Sequence, residues 1–312
     1  MSITFKESMG NSMKMPERIL IEITRRCNLK CKMCPQASPD YKLTDNDFLS
    51  RALLNKCADF AASCQRVHFY GVGEPLLHKD IFLFADILFE KENNIELNFV
   101  TNGTLITEEL AEKIVQSRYT SVQFSFDGFN IPFGHEFPEK TLNGLKNLVT
   151  AQKKLKSLTP YIGIHSVIGR SNAGLMKDII SIAATNECRY ISFDGLFHYF
   201  DYGLTGIKEI VDESHFANHI DEIVPMVWDA VKLSQEKGVK FSRGCTRGLL
   251  GEHRLSCTRP DREVVVSIDG LVYGCAALYP LGLNIDSMDI ESIWNSKEMN
   301  TLRQNIKKRI YI

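Results

Sequence analysis

ILIEITRRCNLKCKMCPQ, residues 19–36, joins a short β-rich run to three cysteines spaced C-x3-C-x2-C: Cys27, Cys31 and Cys34. The run ILIEIT (19–24) reads as a strand, and the cysteines follow it at once, so they occupy a loop at a strand's C-terminal end. The next cysteine is Cys57 and the first histidine is His68. A closed structural metal site takes four protein ligands, whereas an open position marks a catalytic one. Spacing alone leaves two readings. One is a zinc site completed by a distant cysteine or histidine. The other is an iron–sulfur cluster on three thiolates with one corner left for another ligand.

Working outward, strand and helix patterns alternate as far as Asp194. RVHFY (66–70), ELNFV (96–100), SVQFSF (121–126), YIGIHSVI (161–168) and YISF (190–193) read as further strands. Helical stretches fall near 80–91, 107–117, 138–155 and 173–185, and TDNDFLSRALLNKCADFAAS offers Thr44 and Asp45 as N-cap candidates for another. Repeated β-α units imply parallel strands joined by right-handed crossovers, hence an α/β fold: a partial (β/α)6 TIM-like barrel. Functional loops in such barrels sit at the C-terminal ends of strands, where the cysteines are. After Asp194 the pattern changes to a loop, a helical stretch near 215–237, and a hairpin EVVVSI-DG-LVYG (263–274) turning at Asp269-Gly270. IESIWNSKEMNTLRQNIKK reads as a closing helix. The expected organisation is an N-terminal extension (1–16), the barrel with its connecting helix (17–237), and a small α+β hairpin-plus-helix domain (238–312).

The chain has 312 residues, a formal net charge of −1 and 44% hydrophobic residues, enough for a sizeable core and without the basic field that nucleic acid or an anionic membrane would call for. Its first residues lack the apolar core of a signal peptide and no run is long enough to span a bilayer, so a cytoplasmic protein is expected. Nine cysteines, an odd number, argue against a disulfide framework in such a chain. Cys57, Cys64 and Cys188 have the placement of small core residues. His135, His165 and His198 fall near strand ends, where a hydrogen-bonded structural role is the simpler reading.

The three-cysteine loop resembles that of the radical S-adenosylmethionine (radical SAM) superfamily. In that family the open iron is chelated by the amino and carboxylate groups of S-adenosylmethionine, which reductive cleavage converts to a hydrogen-abstracting 5′-deoxyadenosyl radical. Met33 stands where the family often has an aromatic residue, and methionine can fill that space as a soft apolar side chain. FYGVGEPLLH (69–78) resembles the family's G-x-G-E-P element, with Gly71, Gly73, Glu74 and Pro75. The resemblance implies that this backbone and Glu74 hold the methionine ammonium. VTNG (100–103) and FSFDG (124–128) resemble positions lining the co-substrate pocket, with Asn102, Ser125 and Asp127 as the polar contacts.

Cys257 and Cys275, spaced C-x12-G-x4-C around Gly270, resemble the twitch or SPASM-like appendage of the same superfamily. That implies a second, auxiliary 4Fe–4S cluster on Cys245, Cys257 and Cys275, completed by Arg243, an acid or the substrate. Two competing readings make Cys245 a free thiol donating hydrogen in a redox-neutral epimerase, or a buried small residue. The family's electron donors are flavodoxin- or ferredoxin-type proteins. The expected activity is oxidation of a small polyhydroxylated or amino-sugar-like molecule. Modification of a ribosomally made peptide is the rival, disfavoured by the few residues that precede the first strand. A non-catalytic zinc or iron–sulfur protein is the reading outside enzymes.

Overall fold

The computed structural model describes residues 15–44, 46–92, 94–132, 134–196, 213, 215–242, 259–274 and 280–307. Strand β1 (Arg18–Ile21) leads through the cysteine loop to α1 (Arg51–Ala61) and β2 (Arg66–Phe69). Then α2 (Ile81–Lys91), β3 (Glu96–Thr101), α3 (Glu108–Val115), β4 (Ser121–Ser125) and α4 (Pro138–Leu155) alternate. They continue as β5 (Tyr161–Ile168), α5 (Met176–Thr185), β6 (Tyr190–Gly195), α6 (Ile220–Glu236) and β7 (Lys240–Ser242). The C-terminal part adds β8 (Glu263–Val266), β9 (Leu271–Tyr273), β10 (Pro280–Asn284), α7 (Ile290–Trp294) and α8 (Lys297–Lys307).

All described strands belong to one sheet in the order β10-β9-β8-β1-β2-β3-β4-β5-β6-β7. From β8 through β7 the pairs are parallel, while β9 and β10 run antiparallel at the edge. This is the partial TIM-like barrel with a small C-terminal addition, carrying a short seventh barrel strand, β7, that was not anticipated. The C-terminal hairpin does not stand apart: β8 pairs in parallel with β1, Arg18 opposite Glu263 and Ile21 opposite Val266. Gly270, with φ +79°, makes the expected turn between β8 and β9. Its N–H donates to the Ser267 carbonyl at 3.0 Å.

Side chains alternate across each strand, and the two faces of the sheet serve different ends. Ile19, Ile21, Val67, Phe69, Leu97, Phe99, Val122, Phe124, Ile162, Ile164, Ile191 and Phe193 are buried in one core with the helices. Cys57, Cys64 and Cys188 lie in that same core. The other face carries His68, Asn98, Gln123, His165 and Ser192, with a small separate apolar cluster of Leu20, Val265, Tyr70 and Tyr273. The inside of the curved sheet is therefore polar, as a ligand-binding lumen requires.

Two local expectations are corrected. The N-cap of α1 is Ser50, whose hydroxyl accepts from Leu53 N; Asp45 lies outside the described residues. Thr44 is engaged elsewhere, its N–H donating to Asp47 Oδ2 at 2.5 Å and its carbonyl accepting from Arg26 Nη2 at 2.9 Å. The closing helix is two helices. Asp289 caps α7, and Ser296 accepts from Met299 N at the start of α8. Arg303 on α8 ties the pair together. It is 6% exposed, donates to the Pro260 and Trp294 carbonyls at 3.0 and 2.8 Å, and stacks over the Trp294 ring.

Replacing Arg303 by leucine strands two buried carbonyls and is expected to lower the stability of the cluster-free protein by about 2–4 kcal/mol. Urea unfolding of Arg303→Leu against wild type measures this.

Candidate functional site

The cysteine loop is built by hydrogen bonds before any ligand is considered. Thr24, buried three residues beyond β1, donates to the Asp47 carbonyl at 2.9 Å and accepts from Arg26 N at 3.0 Å. Cys34 N donates to the Cys31 carbonyl and Ala37 N to the Cys34 carbonyl, each at 2.9 Å, coiling the loop around its thiols. Leu29 N and Asn102 Nδ2 donate to Cys27 Sγ at 3.4 and 3.7 Å. Lys30 N donates to Glu136 Oε2 at 2.9 Å, fastening the far side.

The G-x-G-E-P segment lies directly on this loop. Glu74 N donates to the Arg26 carbonyl at 2.8 Å, and Gln36 Nε2 bridges the Arg25 and Val72 carbonyls at 2.7 and 3.0 Å. A Cβ on Gly73 would stand 2.2 Å from the Thr24 carbonyl oxygen, so the backbone contact itself demands glycine.

These elements enclose one cavity of about 180 Å³ at the C-terminal mouth of the barrel, lined by Cys27, Cys31 and Cys34 together. Taking about 10–15 Å³ of such space per water, it is far larger than a hydration site. Gly71, Gly73, Glu74, Asn102, Ser125 and Asp127 all line it. Pro75 does not; it is buried and starts the short turn Pro75–Leu77. His135 and His165 also face the cavity, as does Met33. Glu22, Arg25, Tyr70, Ser267 and Tyr273 are also part of the wall and were not foreseen. Ser267 and Tyr273 reach the others only because β8 pairs with β1, which strand-by-strand pattern cannot show. His198, Arg243, Cys245, Cys257 and Cys275 lie outside the described residues.

The Glu74 carboxylate is 1% exposed and accepts three hydrogen bonds: from Thr101 Oγ1 at 2.7 Å, Asn102 N at 2.7 Å and Leu76 N at 3.1 Å. It laces β2 to β3, and its burial pushes its pKa up to about 7 despite those donors. Burial likewise pushes the thiols of Cys31 and Cys34 up to about 12 and raises Cys27. They are neutral without metal, and ligation must displace their protons.

Across the cavity stand two imidazole–carboxylate pairs. His165 Nε2 is 3.2 Å from Asp194 Oδ2. Burial pulls its pKa down, but the hydrogen bond and charge of Asp194, with Asp127, outweigh it and the net shift is upward. His135 Nδ1 lies 3.0 Å from Asp127 Oδ2 without hydrogen-bond alignment, while Asp127 Oδ1 accepts from Val167 N at 2.7 Å. Deeper in the lumen, burial holds His68 down at about 3, and its Nε2 has no hydrogen-bond partner among the described residues.

Three thiols around an open volume, at the mouth of a parallel barrel, are the donor set that an open-cornered iron–sulfur cluster takes. The residues fit that group. Among the described residues no three His, Cys, Asp or Glu side chains converge on a single-ion site. The thiols ring a cavity, with N–H donors already placed on one sulfur. The sequence pattern of the radical SAM superfamily matches residues 21–167, and that of the SPASM iron–sulfur cluster-binding domain matches residues 257–311. The chain belongs to the radical SAM superfamily and carries a SPASM domain at its C-terminal end. A four-iron cluster and S-adenosylmethionine are thus its cofactors.

The chain is 30% identical over 161 residues to a tungsten-containing aldehyde ferredoxin oxidoreductase cofactor-modifying protein of Pyrococcus furiosus, covering 49% of this chain and 44% of that one. It therefore spans less than half the length of that relative. It is 22% identical to a GTP 3′,8-cyclase of Aliarcobacter butzleri over 92% of this chain and 87% of that one. Streptococcus suis SuiB bound to S-adenosylmethionine shares the fold with a TM-score of 0.70 at 16% identity, over 93% of this chain and 68% of that one. No helix among the described residues is long and apolar enough to cross a membrane.

Gly73→Ala is expected to separate the two loops and cost the cluster on the three-cysteine loop, read as a loss of about four irons per chain after anaerobic reconstitution. Glu74 supplies a pH test on the cluster-free protein. Its folded pKa of about 7 exceeds the ordinary 4.5, so the folded state binds the proton more tightly. Its contribution to stability is greatest below pH 4.5 and falls as pH rises toward 7. In Glu74→Gln the midpoint of thermal unfolding should lose that downward component.

Proposed function

We propose that Cys27, Cys31 and Cys34 hold the S-adenosylmethionine-binding cluster, and that the enzyme oxidises an alcohol carbon of a small polyhydroxylated or amino-sugar-like molecule. When bound, S-adenosylmethionine and two clusters would supply the radical that removes one hydrogen atom and the acceptor for the electron left behind. Cys245, Cys257 and Cys275 would hold the second cluster, and a flavodoxin- or ferredoxin-type protein would supply electrons. The backbone of Gly71 and Gly73 gives a side-chain-free edge along which the co-substrate's methionine end can lie, with Asn102, Ser125 and Asp127 beyond it. Oxidation of an alcohol also releases the hydroxyl proton. His165, made more basic by Asp194, is placed to accept it, and Asp194 would stabilise the resulting imidazolium.

The observation that carries the reading is that the three thiols share one cavity with His135, Asp127 and His165, the last braced by Asp194. The small nucleotide named for a relative matched over 87% of its length favours a small molecule.

The triple variant Cys27→Ala, Cys31→Ala, Cys34→Ala tests the assignment. Under strong reductant the wild type should form 5′-deoxyadenosine from S-adenosylmethionine and the variant none. The variant should keep about four irons per chain if the C-terminal cysteines hold a second cluster. A variant without iron would move the reading to an epimerase in which Cys245 returns a solvent-derived hydrogen.

A further inference from the structure

Glu22, the residue after β1, is 8% exposed, and its side chain turns into the cavity. The fold makes room for it. Gly71 sits opposite with φ +149°, and a Cβ there would stand 2.8 Å from Glu22 Cγ and 3.3 Å from Glu22 Oε1. The carboxylate is partnered on one side only. Oε2 accepts from Arg25 Nε at 3.1 Å and from Ile268 N at 3.4 Å. Oε1 has no partner among the described residues.

Glu74 is in a different state, since it already accepts three hydrogen bonds from the chain. Asp127 has Oδ1 held by Val167 N, and its Oδ2 faces His135 Nδ1 at 3.0 Å. Arg25 does not neutralise Glu22 alone, because its Nη2 also lies 3.6 Å from Asp269 Oδ2. Two carboxylates thus share one guanidinium, and the group retains one negative charge. Burial raises the pKa of Glu22, with Asp269 adding to that and Arg25 opposing it. A buried carboxylate short of partners is stabilised by a cation delivered to its open oxygen.

We propose that Glu22 Oε1 is the acceptor for an N–H of an amino group bound in this cavity. Such a group can come from two sources: the amino group of S-adenosylmethionine lying along the Gly71–Gly73 edge (an amine whose N–H bonds iron ligation would polarise), or an ammonium on the substrate. The first source rests on the radical SAM reading. A carboxylate gives a charge-assisted hydrogen bond to an ammonium or a polarised amine and none of comparable strength to a hydroxyl or methylene. Glutamine at this position keeps the shape and an acceptor oxygen but removes the charge.

The test uses anaerobically reconstituted wild type and Glu22→Gln, with iron content and the electron paramagnetic resonance spectrum of the reduced cluster confirming that both are loaded. Equilibrium binding is measured for S-adenosylmethionine and its des-amino analogue. It is then measured for glucosamine and glucose on enzyme saturated with S-adenosylmethionine. If the co-substrate's amino group is the partner, Glu22→Gln weakens S-adenosylmethionine about tenfold or more and leaves the des-amino analogue unchanged. If a substrate amine is the partner, S-adenosylmethionine is unaffected and a wild-type preference for glucosamine over glucose is lost. Equal behaviour of both proteins toward all four ligands overturns the proposal. Should Glu22→Gln fail to assemble its cluster, Glu22→Asp keeps the charge on a shorter arm. It must weaken the amino ligand and spare its amine-free counterpart, and uniform binding there overturns the proposal equally. A wild type that retains no iron would instead remove the radical SAM reading itself.

Discussion

The site depends on one backbone-to-backbone contact: the strand-end segment at Gly73 laid against the carbonyls of Thr24 and Arg26. No side chain fits between them, and the Glu74 N–H closes the contact on the Arg26 carbonyl. Everything that makes the cavity follows from it. The cysteine loop is held at its root, the glycine edge is brought within reach of the thiols, and Gln36 pins both from outside. Hydrogen bonds between backbones fix distance more rigidly than side-chain contacts, because neither partner has rotamers to lose. A cofactor that must bridge a metal corner and a strand end needs that rigidity.

Around this contact the fold distributes buried acids unequally. Glu74 acts as mortar, its oxygens occupied by β3 and its own turn. Glu263, fully buried, is paired with Arg18 across the β1–β8 seam. Glu22 alone among these three faces the cavity with an oxygen unclaimed by the described residues. The opposite wall is organised around imidazoles braced by carboxylates. One side of the cavity therefore suits a cation and a metal corner, and the other a group that exchanges protons.

Much of this was legible in the sequence, for identifiable reasons. α4 and β5 have the bounds their patterns indicate, Pro138–Leu155 and Tyr161–Ile168, because a proline starts the helix and an isoleucine- and valine-rich run lies between Pro160 and Gly169. The cysteine spacing and the glycine-rich strand end located the cavity. What pattern could not show was non-local. β7 is three residues and too short to display a period. β10 carries a proline and a glycine that read as loop. Thr44, an expected cap, is claimed by Asp47 and Arg26, and Ser50 caps α1 instead. Glu22 looked like one more alternating residue of a strand, because Gly71 and Ile268, which give it its place, are distant in sequence.

The pairing of β1 with β8 has a consequence for how the chain comes into being. The Arg18–Glu263 contact spans 245 residues, so during synthesis the first strand waits with one edge bare until most of the chain has left the ribosome. An open parallel edge is a template for mispairing, and the wall bearing Glu22 and Arg25 stays unfinished throughout that interval. The cavity is completed late. Iron delivered to the nascent chain would meet three thiols with no roof, so productive loading of the metal is a task for the released, fully zipped polypeptide.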